Sequence, residues 1–265
     1  MEHIIDNERE RGAAAELKDV KLVYHEPSRE TLAVDKLSLR IERGEFLSVV
    51  GPSGCGKTSV LKLLTGLCKP TEGSVTVMGS TPAAARKRIG YMLQRDALFE
   101  WRTIARNAEL GLELRRELNA ETREKVREML EKYGLGDFAE HYPDELSGGM
   151  RQKAALIRTL APEPELLLLD EPFSALDHQT RLLLEDEVYG LIRLGGRTAV
   201  LVTHDISEAV AMSDRVAVFT GRPASVRRII EPGLRGLPGE RRADPRFSAA
   251  FESIWKELRR DERGA

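Results

Sequence analysis

The sequence predicts an α/β fold: a parallel sheet with crossover helices, an N-terminal antiparallel β-subdomain and an inserted helical subdomain. Three observations carry this reading. Short apolar runs (FLSVV, ELLLLD, TAVLVT, RVAVFT) read as strands buried on both faces. Helical stretches lie between strands on either side of the insertion, so crossovers join parallel neighbours. From about residue 97 to 159 the texture changes to helix with dense charge between apolar positions, as in AETREKVREMLEKYGL.

The elements follow in order. Residues 1–16 are polar and expected to form a flexible N-terminus. From Leu17 to Ile41 two strand-like runs, VKLVY and TLAVDKLSLRI, flank a turn at Pro27-Ser28-Arg29. Arg43-Gly44 turns the chain into FLSVVG, after which come a Gly-rich loop and a helix, TSVLKLLTGL. A turn at Lys69-Pro70-Thr71-Glu72-Gly73 leads into the alternating strand SVTVMG. Beyond the helical block, ELLLLD and TAVLVT are separated by the helix LLLEDEVYGLIRLG. The final segment, 241–265, is expected to be an amphipathic helix packed on the main domain (17–240), with Phe247, Phe251, Trp255 and Leu258 on one face. There is no internal repeat.

Composition narrows the function. The chain has 265 residues, enough for one large domain with an insertion. Its 41 basic and 43 acidic residues nearly cancel, so neither nucleic acid nor an anionic surface is called for as the main partner. No apolar run approaches the roughly 20 residues that span a bilayer, and the first residues lack a secretory signal core. The two cysteines, Cys55 and Cys68, are expected to be reduced and cytosolic, because a disulfide at Cys55 would constrain the Gly-rich loop.

That loop is Gly51-Pro52-Ser53-Gly54-Cys55-Gly56-Lys57-Thr58, a full match to G-x-x-x-x-G-K-[ST] between a buried strand and a helix. Glycines let backbone N–H groups converge on a phosphate, and the helix N-terminus adds positive potential there. Lys57 can reach the β- and γ-phosphates; the Thr58 hydroxyl can hold Mg²⁺, and Ser59 follows it. This marks a P-loop (RecA-like) core. The strand ELLLLD then ends in two carboxylates. Asp170 is placed to support Mg²⁺, while Glu171 is placed to orient or deprotonate an attacking water. A third element, Leu146-Ser147-Gly148-Gly149-Met150-Arg151-Gln152, puts a serine and two glycines ahead of a helix and so makes a second anion-binding turn.

With LSGGMRQ the sequence resembles the ABC ATPase family, from about Leu17 to Ile230. The resemblance implies ATP and Mg²⁺ as ligands. It also implies a head-to-tail homodimer in which Ser147, Gly148 and Gly149 of one copy cover the γ-phosphate bound by the other. Gln94, after RIGYML, resembles the glutamine that touches Mg²⁺ and shifts with the helical subdomain. Ser174-Ala175-Leu176-Asp177 matches the loop that crosses the dimer interface, and His204 matches the switch histidine on the γ-phosphate. Tyr24 sits where the family stacks an aromatic on adenine, although a half-buried strand aromatic would read the same way. Two departures are visible: Met150 where glutamine is commonest, and RTLAPEPEL in place of a small-residue run.

A lone cassette with no fused membrane span points to an importer. The segment ALFEWRTIARNAEL and the run FSALDHQTR are similar to nitrate/sulfonate/taurine-type subunits. The implied partners are transmembrane permease subunits, an external solute-binding protein acting indirectly, and no nucleic acid. The implied location is the cytoplasmic face of the membrane. Leu98, Phe99 and Trp101 either receive a permease helix or fill the helical subdomain's core. The alternative is a soluble ABC-type ATPase not coupled to transport.

Overall fold

The computed structural model describes residues 12–26 and 29–262. Contacts group the chain into two compact units, one made of Met1–Arg86 with Leu184–Ala265, the other of Lys87–Leu183.

The first unit holds two sheets. In the smaller, β1 (Ala15–Glu26) lies between β2 (Arg29–Ile41) and β4 (Glu72–Val77), antiparallel to both. Leu17, Val20, Leu22, Leu37, Leu39 and Val77 are buried, which fixes the register through one apolar face. The strand begins at Ala15, so Ala15 and Glu16 do not belong to a flexible terminus. Ala14 and Ala15 are fully buried, and the Ala14 N–H donates to Ile41 O (2.8 Å). The turn expected at Pro27-Ser28 lies outside the described residues.

In the larger sheet of this unit, β3 (Phe46–Val50) is flanked by β7 (Thr198–Val202) and β8 (Arg215–Phe219), parallel to both. All ten residues of β3 and β7 are buried, as expected of strands covered on both faces. β9 (Val226–Ile230) adds an antiparallel edge that the apolar pattern did not announce, because VRRII is only half-buried. α1 (Lys57–Thr65) follows β3, and α7 (Ile206–Met212) follows β7. α9 (Arg246–Glu262), preceded by the short α8 (Pro238–Arg242), packs Ala250, Ile254, Phe247, Phe251 and Leu258 against Val50, Val210, Val216 and Val218. Trp255 is not on that face; it is 48% exposed.

The second unit contains β5 (Ile89–Met92) parallel to β6 (Leu166–Asp170). With them go α2 (Ile104–Ala108), α3 (Leu110–Arg115), α4 (Ala120–Lys132) and α5 (Gly148–Leu160). Its limits are wider than the expected insertion at 97–159, because this strand pair belongs with the helices: β5 packs on α5, and Arg88 forms an ion pair with Glu165 at 2.5 Å. α6 (His178–Leu194) carries the chain back to the first unit.

Candidate functional site

In the first unit the chemistry sits at the C-terminal ends of two neighbouring parallel strands, the usual place for ligands in such sheets. Val49 pairs with Val202, and Thr203 N–H donates to Val49 O (3.3 Å). Gly51, which opens the loop, stands one residue beyond β3, and the exposed His204 two residues beyond β7. Asp205 caps α7, its carboxylate accepting from Ser207 N (2.8 Å) and Glu208 N (3.2 Å).

The loop is built around Lys57. Its ammonium is buried and donates to the carbonyls of Gly51 (2.8 Å) and Pro52 (3.0 Å), while Ser53 and Gly54 are exposed and Cys55 lies beneath the loop. Gly56 has φ 120° and ψ 9°, and a Cβ there would stand 2.7 Å from Ala33 O. The backbone therefore follows a path that only glycine takes. α1 begins at Lys57 with no side-chain cap, leaving its first N–H groups to an outside acceptor. The loop has the form of a cradle for phosphate. Thr58 and Ser59 are half-buried on its first turn.

Tyr24 is half-buried. Its hydroxyl donates to Ser59 Oγ (3.1 Å) and lies 3.8 Å from Cys68 Sγ, and burial pushes its pKa up. Neither Cys55 nor Cys68 forms a disulfide.

The second unit repeats the arrangement. Met92 pairs with Leu169; Gln94 stands two residues beyond β5 and Glu171 one residue beyond β6. Gln94 Nε2 donates to Glu171 Oε2 at 3.1 Å. Asp170, the last residue of β6, is 3% exposed. Glu171 is held at φ 51°, a left-handed conformation that costs a non-glycine residue about 1–2 kcal/mol.

α5 starts at Gly148 with Ser147 as N-cap, its hydroxyl accepting from Met150 N (3.3 Å). Ser147 and Gly148 are exposed, and a Cβ on Gly148 would meet nothing within 4 Å. The helix N-terminus is therefore open to a ligand of the phosphate class. Asp177 caps α6: its carboxylate accepts from Thr180 N (3.0 Å), and its bonds to Thr180 hold its pKa below the usual carboxylate range.

Comparisons with known proteins give the family. Residues 34–174 match the ABC transporter family. The chain belongs to the ABC transporter family. An uncharacterized ABC transporter ATP-binding protein of Bacillus subtilis, YtlC, is 48% identical over 89% of this chain and 92% of its own length. The aliphatic sulfonates import ATP-binding protein SsuB of Bacillus licheniformis is 39% identical over 87% and 89%. Among solved structures, the dimeric post-hydrolysis state of the ATP-binding cassette MJ0796 bound to ADP and Pi superposes with a TM-score of 0.74 at 33% identity, covering 84% of this chain and 100% of that one. The chain is therefore the ATPase subunit of an ABC transporter.

One expectation about this ABC subunit changes in detail. Leu98, expected with Phe99 and Trp101 in one cluster, is 6% exposed and belongs to the interior. Trp101 is 74% exposed and stacks on Phe99 (centroids 4.8 Å apart). Asn107 fixes that turn, accepting from Phe99 N (2.8 Å) and donating to the carbonyls of Phe99, Arg102 and Thr103. Sequence reasoning also missed Gln152. It is 4% exposed, with its amide bonded to Glu171 O (3.2 Å) and Ala175 N (3.0 Å). The available signal was a polar residue among buried Ala155, Leu156 and Thr159, one helical face at i, i+3, i+4 and i+7.

No helix of the described residues is long and apolar enough to cross a membrane. Among those residues no three His, Cys, Asp or Glu side chains could hold a metal by themselves. Thr58 in the first unit carries a hydroxyl oxygen, and Gln94 and Asp170 in the second carry amide and carboxylate oxygens, hard donors of the kind Mg²⁺ takes.

Proposed function

We propose that this ABC subunit energises the import of a small solute, of the nitrate, sulfonate or taurine type, through partner permease subunits at the cytoplasmic face of the membrane. An external solute-binding protein takes part indirectly. The observation that carries the proposal is the chain's two separate phosphate-class cradles. One is the loop around Lys57; the other is the open helix start at Ser147–Gly149. Two copies close head to tail on two ATP molecules, each bound by Gly51–Thr58 of one copy and Ser147–Gly149 of the other. Asp177 lies at the crossing between copies, and Tyr24 stacks on adenine. Closure reorients the docked permease, and hydrolysis releases it.

For the chemistry, Lys57 and the loop amides neutralise the β- and γ-phosphates. Thr58, Gln94 and Asp170 would hold Mg²⁺, which would supply further charge neutralisation. Glu171 receives the proton of the attacking water as the bond to the γ-phosphate breaks, and His204 contacts that phosphate. The Phe99–Trp101 stack is the docking platform for a permease helix, since exposed aromatics pinned in place suit an interface. The import reading draws support from the likeness to a sulfonate-import subunit.

Two measurements test the proposal. The full chain, co-expressed with candidate permease subunits of the same organism, should co-purify with one pair and show solute-stimulated ATP hydrolysis. Equal hydrolysis with and without permease and solute would favour a soluble ATPase. Glu171→Gln should bind ATP but lose most turnover, and a wild-type rate would remove Glu171 from its role.

A further inference from the structure

We propose that Gln152 is a positioning residue for Glu171, working from the helix that follows Ser147–Gly149 in the same subunit; this rests on reading Glu171 as the acceptor of the water proton.

The geometry is specific. Glu171 stands in a left-handed backbone conformation at φ 51°. Such a residue persists only where its surroundings over-determine it. Its side chain accepts from Gln94, a residue exposed on the next strand's end. Its backbone carbonyl is gripped by three donors: Gln152 Nε2 (3.2 Å), Ser174 Oγ (3.0 Å) and Ser174 N (3.3 Å). Both serine donors lie three residues along the same turn and move with it. Gln152 comes from a different element, and its buried amide is used at both ends, because its Oε1 accepts from Ala175 N (3.0 Å). One side chain on α5 thus fastens the start and the end of the turn Glu171–Ala175.

The consequence is mechanical. Arg151, the preceding residue, pairs with Asp96 (2.9 Å) and Glu100 (2.7 Å), and Arg158 donates to the carbonyls of Asp96 and Ala97. α5 therefore holds the segment after Gln94 with its arginines and the turn after Glu171 with Gln152. Gln94 and Glu171, which bond each other, are set by one helix. Cutting the Gln152 link frees the Glu171 backbone, and a carboxylate misplaced by about 1 Å can cost roughly 100-fold in rate.

The test is a double-mutant cycle on the full chain, read as kcat, KM for ATP and a pH–rate profile. Gln152→Leu should lower kcat about 10- to 100-fold with KM within about twofold. In a Glu171→Gln background it should change the residual single-turnover rate by less than about twofold, since the group it positions is already disabled. Gln152→Glu supplies the readout that a packing role would not move. Its introduced carboxyl, ionised, repels the Glu171 carbonyl, but when protonated it can donate to it. Activity relative to wild type should then recover as pH falls, and Gln152→Leu should show no such recovery. Unchanged kcat in Gln152→Leu, an equal loss in both backgrounds, or the same pH profile for the two variants would each overturn the proposal. Should Gln152→Leu fail to fold, the Gln152→Glu pH series decides alone. Wild-type hydrolysis by Glu171→Gln itself would sink the underlying reading instead, so the two failures are distinct.

Discussion

Replacing Gly56 by alanine tests the phosphate cradle at its tightest point. At φ 120° and ψ 9° an alanine is strained wherever space exists, at about 1–3 kcal/mol. Here space does not exist. The added Cβ would stand 2.7 Å from Ala33 O and 2.9 Å from the Ala224 Cβ. The obstructing carbonyl cannot swing aside, because it accepts from Ala224 N at 2.9 Å. Forcing a methyl into such a contact adds about 1–3 kcal/mol, for a combined cost of about 4 kcal/mol. Gly54 is the internal control: it also has positive φ (71°), but a Cβ there meets nothing within 4 Å, so alanine should cost only about 1–2 kcal/mol. At about 2–4 °C per kcal/mol, Gly56→Ala should melt about 8–16 °C below wild type and Gly54→Ala about 2–8 °C below. Gly56→Ala should also lose binding of a fluorescent ATP analogue. Equal melting shifts for the two variants would refute the argument that packing against Ala33, rather than positive φ alone, dictates glycine at position 56.

Further outcomes follow from the packing and charges. Ile254→Ala should destabilise by about 2–5 kcal/mol in urea unfolding, because the side chain is fully buried under α7 and β8. Trp255→Ala should cost less than about 1 kcal/mol, since its ring is half exposed; equal losses would put α9 in the wrong rotation. The Arg151 guanidinium holds the Asp96 carboxyl below its ordinary range. A depressed folded pKa stabilises above the unfolded value of about 4 and is lost as pH falls through the folded pKa. Asp96→Asn should therefore destabilise at pH 7 and converge on wild type in acid, read as urea midpoints at both pH values. A gap independent of pH would contradict the ion pair.

Much of this was legible in the chain because the signals were local. FLSVV and TAVLV announce strands buried on both faces, and each runs into a candidate site residue: Gly51 after one, His204 after the other. LLLLD announces a third strand buried on both faces, and Asp170 and Glu171 stand at its end. What failed depended on rotation and distance. Stepping by four residues from Phe247 overshoots a helical turn by about 40° each time, so Trp255 drifts off the apolar face that Ile254 occupies. Leu98 and Trp101 sit three residues apart in the segment LFEW, yet the turn pinned by Asn107 sends one inward and the other out. The bonds of Gln152 to Glu171 and Ala175 span 19 and 23 residues, and only the folded chain brings those groups together.

The central claim is that each ATP site is completed by a second copy of the chain. The measurement that tests it most directly is sedimentation of Glu171→Gln with Mg-ATP, alone and combined with Gly148→Asp, which places a carboxylate at the open helix start. The account predicts a dimer of twice the subunit mass for Glu171→Gln and a monomer that still binds ATP for the combined variant. A monomer in the first case, or an undiminished dimer in the second, would contradict it.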